Sequence, residues 1–144
     1  MSNSSLFSLL DVTVREGKHF SSAFFRAVDS HESPDSVTEN TTLVWNGSPL
    51  LGSKAFHEML LASPVTKHDI TGFDVQPFPN GDQNAINMIV SLSGRVYYGD
   101  KVPQNLFGFS AQLVVRRIQP NSPLALQTMS YRLIHKPSNA TLQI

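Results

Sequence analysis

The sequence contains no cysteine, and its charges cancel, with eleven Lys and Arg side chains against eleven Asp and Glu. Without cysteine the chain can form no disulfide, no thiolate nucleophile and no cysteine-ligated zinc site, which suits a reducing compartment. Without net charge it has no overall field that would draw it to nucleic acid or to an anionic membrane. We therefore expect no direct, non-specific RNA binding by this chain alone.

The N-terminal residues lack both a basic region and a long apolar run. Ser8 and Asp11 interrupt the apolar letters, so the pattern predicts neither a signal peptide nor a membrane span. We expect a soluble, intracellular protein that makes no membrane contact.

Motifs for catalysis and ligand binding are missing as well. The sequence has no GxSxG, no P-loop and no GxGxxG, which are the signatures of nucleophile elbows and nucleotide sites. Its histidines are scattered and none has the HxH or HExxH spacing of a metal site: His19, His31, His57, His68 and His135. We therefore predict no metal site, no cofactor and no catalytic residue.

What the sequence does contain fits one α+β domain. A length of 144 residues is typical of a single domain with its own core, and we predict one domain over residues 1–144. The core is expected to span about residues 13–136, with flexible tails on either side. Helical patterns come first and strand patterns follow, so the helices should pack on one face of a curved sheet.

Three helical segments are predicted. Thr13 and Glu16 have the spacing of a capping box, so a helix should begin there and run to about Ser30 along one apolar stripe: Phe20, Ala23, Phe24, Ala27 and Val28. Ser33–Asp35, with Pro34 in the middle, suggests one short extra turn. Another helix should open at Gly52 and end at Ser63, with three apolar side chains on one face: Phe56, Met59 and Leu60.

The stretch Thr42–Gly47, TLVWNG, predicts a β-hairpin. Asn46 and Gly47 form the dipeptide that most readily takes two successive positive φ angles, as a type I′ turn requires. Trp45, the only tryptophan, immediately precedes the turn and is expected to anchor it as a structural residue.

From Thr66 onward the sequence predicts strands. The β-prone runs are separated by Pro, Gly, Asn and Asp at three connections, which favours an antiparallel meander: Asp69–Pro77, Ala85–Tyr98, Leu106–Ile118 and Leu124–His135. Gly94 lies within a run, where a bend or bulge is expected.

The last two runs alternate in a way that suggests an interface. One face should be core, with Phe109, Ala111, Leu113 and Val115 on one strand and Met129, Tyr131 and Leu133 on the other. The opposite face mixes apolar, hydroxyl and charged side chains, as protein–protein interfaces do. Arg116 shares this mixed face, and unless the face is simply solvated its candidate partner-binding residues are Ser110, Gln112, Val114, Thr128, Ser130, Arg132 and Ile134.

The order of these segments resembles the nuclear transport factor 2-like fold, a cone in which a bent antiparallel sheet wraps three helices. Within that superfamily the sequence is most similar to the nuclear transport factor 2-related export proteins. The resemblance covers about Phe20–His135 and is carried by TLVWNG, including Trp45, Asn46 and Gly47, and by further residues in order: Gly52, Asp74, Gln76, Pro77, Gly94, Val96, Tyr98, Phe109, Tyr131 and Arg132.

The resemblance implies a non-enzymatic adaptor. Such a small subunit pairs through its sheet with a large mRNA export receptor subunit, touches phenylalanine-glycine nucleoporins with or via that partner, contacts RNA only indirectly, and shuttles through nucleus, nuclear pore and cytoplasm. Arg132 matches a family arginine that forms an ion pair with an Asp of the large subunit. The strand pattern independently places Arg132 on the non-core face.

Two alternatives stay open. One is a homodimeric carrier of the GTPase Ran, although the loop Gly99–Asn105 carries only one acid and one base. The other is an isomerase or dehydratase with a pocket inside the cone, in which Asp69 or Asp74 faces Tyr98 or Tyr131. Burial would raise the pKa of such an acid, but a hydrogen-bonded structural role is the simpler interpretation of both acids.

Overall fold

The computed structural model describes residues 3–77, 86–117 and 122–134. It contains two α-helices, six strands and one short 3₁₀ turn at Pro103–Asn105 within those ranges. The helices and strands are α1 (Asn3–Asp29), β1 (Thr42–Trp45), β2 (Ser48–Leu51), α2 (Gly52–Ala62), β3 (Thr66–Pro77), β4 (Ile86–Tyr98), β5 (Leu106–Arg117) and β6 (Ala125–Ile134). The predicted turns at 78–82 and 119–121 and the C-terminal tail after residue 134 lie outside the described residues.

The α+β class is confirmed, with one correction to the sheet. All six strands form a single sheet in the order β2-β1-β6-β5-β4-β3. Neighbouring strands are antiparallel except β1 and β6, which run parallel, so the sheet is mixed rather than antiparallel. Because α2 carries the chain from the β2 edge to the opposite β3 edge, no local hairpin dictates the direction of β1 beside β6.

Helix α1 begins at Asn3 and not at Thr13 as predicted. Thr13 is fully buried within the helix, and the capping-box letters around it do not mark a start. Nothing before Gly17 breaks a helix, so the helix extends toward the N-terminus. Its end is as predicted, since His31 takes the left-handed conformation (φ 59°) and Glu32 N–H donates to the Ala27 carbonyl at 2.9 Å.

The short helical turn expected at Ser33–Asp35 is instead a hydrogen-bonded turn, in which Val37 N–H donates to the Pro34 carbonyl at 3.0 Å. The Ser36 carbonyl accepts the Leu126 N–H of β6 at 2.9 Å and so ties this turn to the sheet. Within the described ranges there are therefore two α-helices where three were predicted.

The predicted hairpin and bend are both present. Asn46 and Gly47 have φ angles of 51° and 85°, and Trp45 pairs with Ser48 across a two-residue turn. The bulge lies on β3 between Ile70 and Gly72, directly opposite Gly94 of β4. A Cβ on Gly94 would collide with the Asp69 carbonyl oxygen, so the two strands approach this closely only because Gly94 has none.

The core lies between the concave face of the sheet and the two helices. Trp45 stacks on Tyr131, with ring centroids 3.8 Å apart and planes at 9°, and its edge meets Phe56 of α2. Gly17 lets α1 pack closely on β3, because a Cβ there would lie 3.1 Å from a Val75 methyl. In the part of the chain described here, neither helix combines the length and the apolarity needed to cross a membrane.

Candidate functional site

The two faces of β5 and β6 are divided as the alternation predicts. On the concave face Phe109, Leu113 and Val115 are completely buried, and Ala111, Met129 and Tyr131 nearly so. The predicted partner-binding residues all lie on the convex face, where they are half-buried or exposed: Ser110, Gln112, Val114, Thr128, Ser130, Arg132 and Ile134. We call this convex side of the sheet the outer face.

The strand register brings the predicted residues together in cross-strand pairs. Their partners across β5 and β6 are Ser110 with Arg132, Gln112 with Ser130, and Val114 with Thr128. Such directly opposed side chains have Cβ atoms about 5 Å apart, so the set forms one continuous surface.

The outer face extends beyond the residues that sequence reasoning selected. Val44 of β1 pairs with Ser130 and leaves 46% of its surface exposed, and the Thr42 hydroxyl donates to the Thr128 hydroxyl at 3.1 Å. On the other side, Ser91 and Ser93 of β4 pair with Gln112 and Ser110. Sequence alone could not add Thr42 and Val44, because the β1–β6 pairing is a contact between the two halves of the chain.

Arg132 is exposed and forms no ion pair with any residue in the described ranges. The other outer-face arginines are engaged within the chain. Arg95 pairs with Asp69 at 3.1 Å, and Arg116 donates to the Asn87 side-chain oxygen at 3.2 Å. The guanidinium of Arg132 is therefore available to a carboxylate from another molecule.

The acids proposed for a pocket enzyme do not lie inside the cone. Asp69 and Asp74 are both exposed on β3, where they pair with Arg95 and Ser91 on the outer face. The predicted alternative, in which either acid faces Tyr98 or Tyr131 inside the cone, is therefore wrong. Of the other motif residues, Gln76 is exposed opposite Ile89, and Pro77 pairs with Met88 at the end of β3.

The interior holds a polar network that the sequence did not reveal. His68 Nδ1 lies 2.6 Å from the Asp29 carboxylate, and His68 Nε2 lies 2.7 Å from the Tyr131 hydroxyl. The Tyr98 hydroxyl in turn donates to Tyr131 at 3.3 Å. Thr66 and the His68 backbone N–H also donate to Asp29, at 2.8 and 2.9 Å. Every donor of this polar network has an acceptor when Nδ1 of His68 carries the ring proton.

Burial and hydrogen bonding shift the acidities of this network. Burial by itself raises the pKa of Asp29, but the hydrogen bonds from His68 and Thr66 and the field of His68 outweigh it and hold that pKa below its ordinary value. Burial raises the pKa of Tyr98 and, more strongly, of Tyr131. The carboxyl is thus stabilised as an anion and the phenols as neutral donors.

The network is packed and does not line a substrate-sized cavity. The His68 ring centroid lies 4.6 Å from that of Phe25 and 5.0 Å from that of Phe109. The adjacent cavity, between Trp45 and Tyr98, has a volume of only about 10 Å³.

A larger open groove of about 400 Å³ lies along α1 and does not include the network. It is lined by Phe20, Phe24 and Leu124, with the Glu16–Arg117 ion pair at its wall. Among the described residues, no three His, Asp or Glu side chains are grouped so that they could hold a metal ion.

Known proteins similar to this chain include an export protein and two of the same fold. The NTF2-related export protein of Caenorhabditis elegans is 29% identical over 85 residues, a match that spans 56% of this chain and 62% of that relative. Nuclear transport factor 2 of Cryptosporidium parvum superposes with a TM-score of 0.67 at 18% identity, over 85% of this chain and 94% of that one. A chain of the Mtr2–Mex67 M domain complex of Candida albicans gives a TM-score of 0.63 at 16% identity, over 89% and 99%.

These similarities confirm the nuclear transport factor 2-like fold and the resemblance to export proteins that TLVWNG and its companion residues indicated. The family model of the nuclear pore RNA shuttling protein Mtr2 matches residues 6–116, well over half of the chain, and the protein therefore belongs to that family.

Proposed function

We propose that this protein is the non-enzymatic small subunit of a heterodimeric mRNA export receptor and that its outer face binds the large subunit. The observation that carries the proposal is Arg132, an exposed guanidinium without an ion-pair partner in the described chain, set among apolar and hydroxyl side chains. The Candida albicans complex, in which Mtr2 is paired with the Mex67 M domain, supplies the type of partner.

The side chains of the outer face would fit a partner that has an apolar surface and one carboxylate opposite Arg132. Val44 and Ile134 leave 46% and 39% of their surfaces exposed on strands next to each other, so a partner can bury apolar area there. Ser110 and Ser130 flank Arg132 and are small enough to let a second backbone approach. An Asp or Glu of the partner would complete the pair with Arg132.

Charge favours a heterodimer over a pair of identical chains. Two copies that met with their β6 strands at the centre would place Arg132 against Arg132. The outer-face carboxylates of the described chain, Asp69 and Asp74, lie on β3, three strands from β6 and about 14 Å away at about 4.8 Å per strand. The balanced loop Gly99–Asn105 adds no acidic patch of the kind expected of a Ran carrier.

The remaining steps of transport belong to the same proposal. With a net charge of zero the chain has no basic surface field, so RNA is contacted through the large subunit. Contact with phenylalanine-glycine nucleoporins is made with or via that partner, and the pair shuttles between nucleus, nuclear pore and cytoplasm.

The test is co-expression with the Mex67-type domain of the same organism and measurement of the heterodimer affinity. Arg132→Asp is expected to abolish the complex. Arg132→Ala should cost about 2 kcal/mol or more, at least about a thirtyfold loss of affinity, because a partner carboxylate is left buried and unpaired.

Arg95→Ala is the matched control, since Arg95 is an exposed arginine whose charge Asp69 already compensates, and its removal should change the affinity little. Melting temperatures should stay within a few degrees for all three variants. A heterodimer that forms equally well with Arg132→Asp would overturn the assignment of this face.

A further inference from the structure

The hairpin turn reaches the strand that carries Arg132. Strand β1 ends at Trp45, which pairs with Tyr131, so the next position along the parallel pair would oppose Asn46 to Arg132. Asn46 N–H still donates to the Tyr131 carbonyl at 2.8 Å, as the ladder requires. In a regular parallel ladder the carbonyl of the same residue would then accept from the residue after Arg132.

That second hydrogen bond is made by a side chain. Asn46 has already turned into the left-handed conformation (φ 51°), and its side-chain Oδ1 accepts the Leu133 N–H at 2.9 Å. Asn46 thus holds the backbone on both sides of Arg132, through Tyr131 and Leu133. From the opposite side, Ser110 of β5 pairs with Arg132 itself.

We propose that Asn46 is a positioning residue of the partner-binding face, which fixes the backbone of β6 so that Arg132 meets the partner carboxylate without further ordering. This inference rests on the proposed function. The residue type is suited to both tasks, because asparagine tolerates a positive φ better than most side chains and also carries an acceptor. Preorganisation of an interface arginine increases affinity by reducing the entropy lost on binding.

The test uses variants that separate the turn from the acceptor. Asn46→Gly keeps the positive φ and the backbone hydrogen bond but removes Oδ1, and Asn46→Asp keeps an acceptor. We expect Asn46→Gly to weaken the complex with the co-purified Mex67-type domain about fivefold and to accelerate hydrogen exchange of the Leu133 amide. Asn46→Asp should retain most of the protection of that amide. Asn105→Ala, which removes another loop asparagine hydrogen bond, should change neither measurement.

A double-mutant cycle with Arg132→Ala distinguishes positioning from a general loss of stability. If Asn46 acts through Arg132, Asn46→Gly has no further effect on affinity once Arg132 is alanine. An equal loss in both backgrounds, or no loss in the wild-type background, overturns the positioning role while the proposed interface stands. If Arg132→Ala leaves the affinity unchanged, the proposed interface fails and the role of Asn46 in binding fails with it.

Discussion

Asp29 joins three elements of the fold through one carboxylate. It lies at the end of α1, accepts hydrogen bonds from Thr66 and His68 of β3, and is connected through the His68 ring to Tyr131 of β6. Tyr131 and Arg132 are neighbours in sequence with side chains on opposite faces. The network therefore supports the concave side of the strand whose convex side carries the candidate interface.

Replacing this carboxylate by an amide should destabilise the protein near neutral pH. We expect Asp29→Asn to lower the free energy of unfolding by about 2 kcal/mol at pH 7, because the charge-assisted hydrogen bonds are lost in a partly buried site. The measurement is urea denaturation followed by tryptophan fluorescence of Trp45. Asp74→Asn, on the exposed outer side of β3, should cost less than about 0.5 kcal/mol.

The pH dependence of the same pair gives an independent prediction. Since the pKa of Asp29 is lower in the folded state than its ordinary value of 3.8, its contribution is fully present above that value and is lost as the pH falls toward the folded-state pKa. The stability difference between wild type and Asp29→Asn should therefore shrink below about pH 4. A difference that stays constant down to pH 3 would show that the charge of Asp29 does not stabilise the fold.

The network could not be predicted from the sequence, for a physical reason. Its hydrogen bonds join residues 39 and 63 positions apart, and the letters around Asp29, His68 and Tyr131 carry no local signal of contact. By contrast, the outward position of Arg132 follows from the two-residue period of a strand, which needs only the neighbouring letters. At the level of single residues, the sequence therefore predicts which face of a strand a side chain lies on, but not which distant residues it contacts.

At the level of secondary structure, the β3–β4 pair depends on a glycine. Gly94→Ala would place a Cβ against the Asp69 carbonyl oxygen and 2.9 Å from the Phe109 ring, and backbone cannot move aside as a flexible side chain can. We expect a loss of about 2 kcal/mol or more in the free energy of unfolding, from overpacking.

Gly108→Ala is the matched control for this prediction. Gly108 is the neighbour of Phe109 on β5, and an added Cβ there would lie 3.3 Å from the Ile134 side chain and 3.8 Å from the Gly94 carbonyl oxygen, which is an ordinary contact distance. Its cost in chemical denaturation should be clearly smaller. Equal costs for the two variants would mean that the close approach at Gly94 does not determine the stability of the bend.

Among the helices, strands and turns, those with a strong local signal could be predicted from the sequence. The hairpin, the four long strands and the bend at Gly94 follow from turn chemistry and β-prone runs, and they are present within a few residues of the predicted bounds. The start of α1 was wrong because the capping-box spacing also occurs inside helices. The short turn predicted after Ser33 is present as the turn closed by Val37 N–H and the Pro34 carbonyl, but it does not form a third helix.

For the whole molecule, the family resemblance predicted a bent sheet packed on helices, but neither it nor the local patterns predicted the parallel pairing of β1 with β6. Local patterns imply a meander, whereas the sheet places the first hairpin beside the last strand in a parallel pair. This placement creates the outer face, because it sets Val44 of β1 next to Ser130 of β6. The candidate interface is therefore a property of the assembled sheet, and sequence periodicity identified only its β5 and β6 part.

If the outer face is a partner-binding surface, the isolated chain should self-associate. Val44 and Ile134 are exposed on adjacent strands, and apolar surface of this kind is buried when protein concentration rises. We expect sedimentation velocity of the chain alone to show a concentration-dependent increase in average mass, which an equimolar Mex67-type domain suppresses.

Val44→Ser should reduce this association at an unchanged melting temperature, since the side chain is half exposed in the monomer. Leu61→Ser is the matched control, because Leu61 is 60% exposed on α2, outside the sheet, and its loss should leave self-association unchanged. If the chain instead forms a discrete dimer that the Mex67-type domain does not displace, then the outer face is completed by a second copy. That result would favour the homodimeric carrier over the heterodimer.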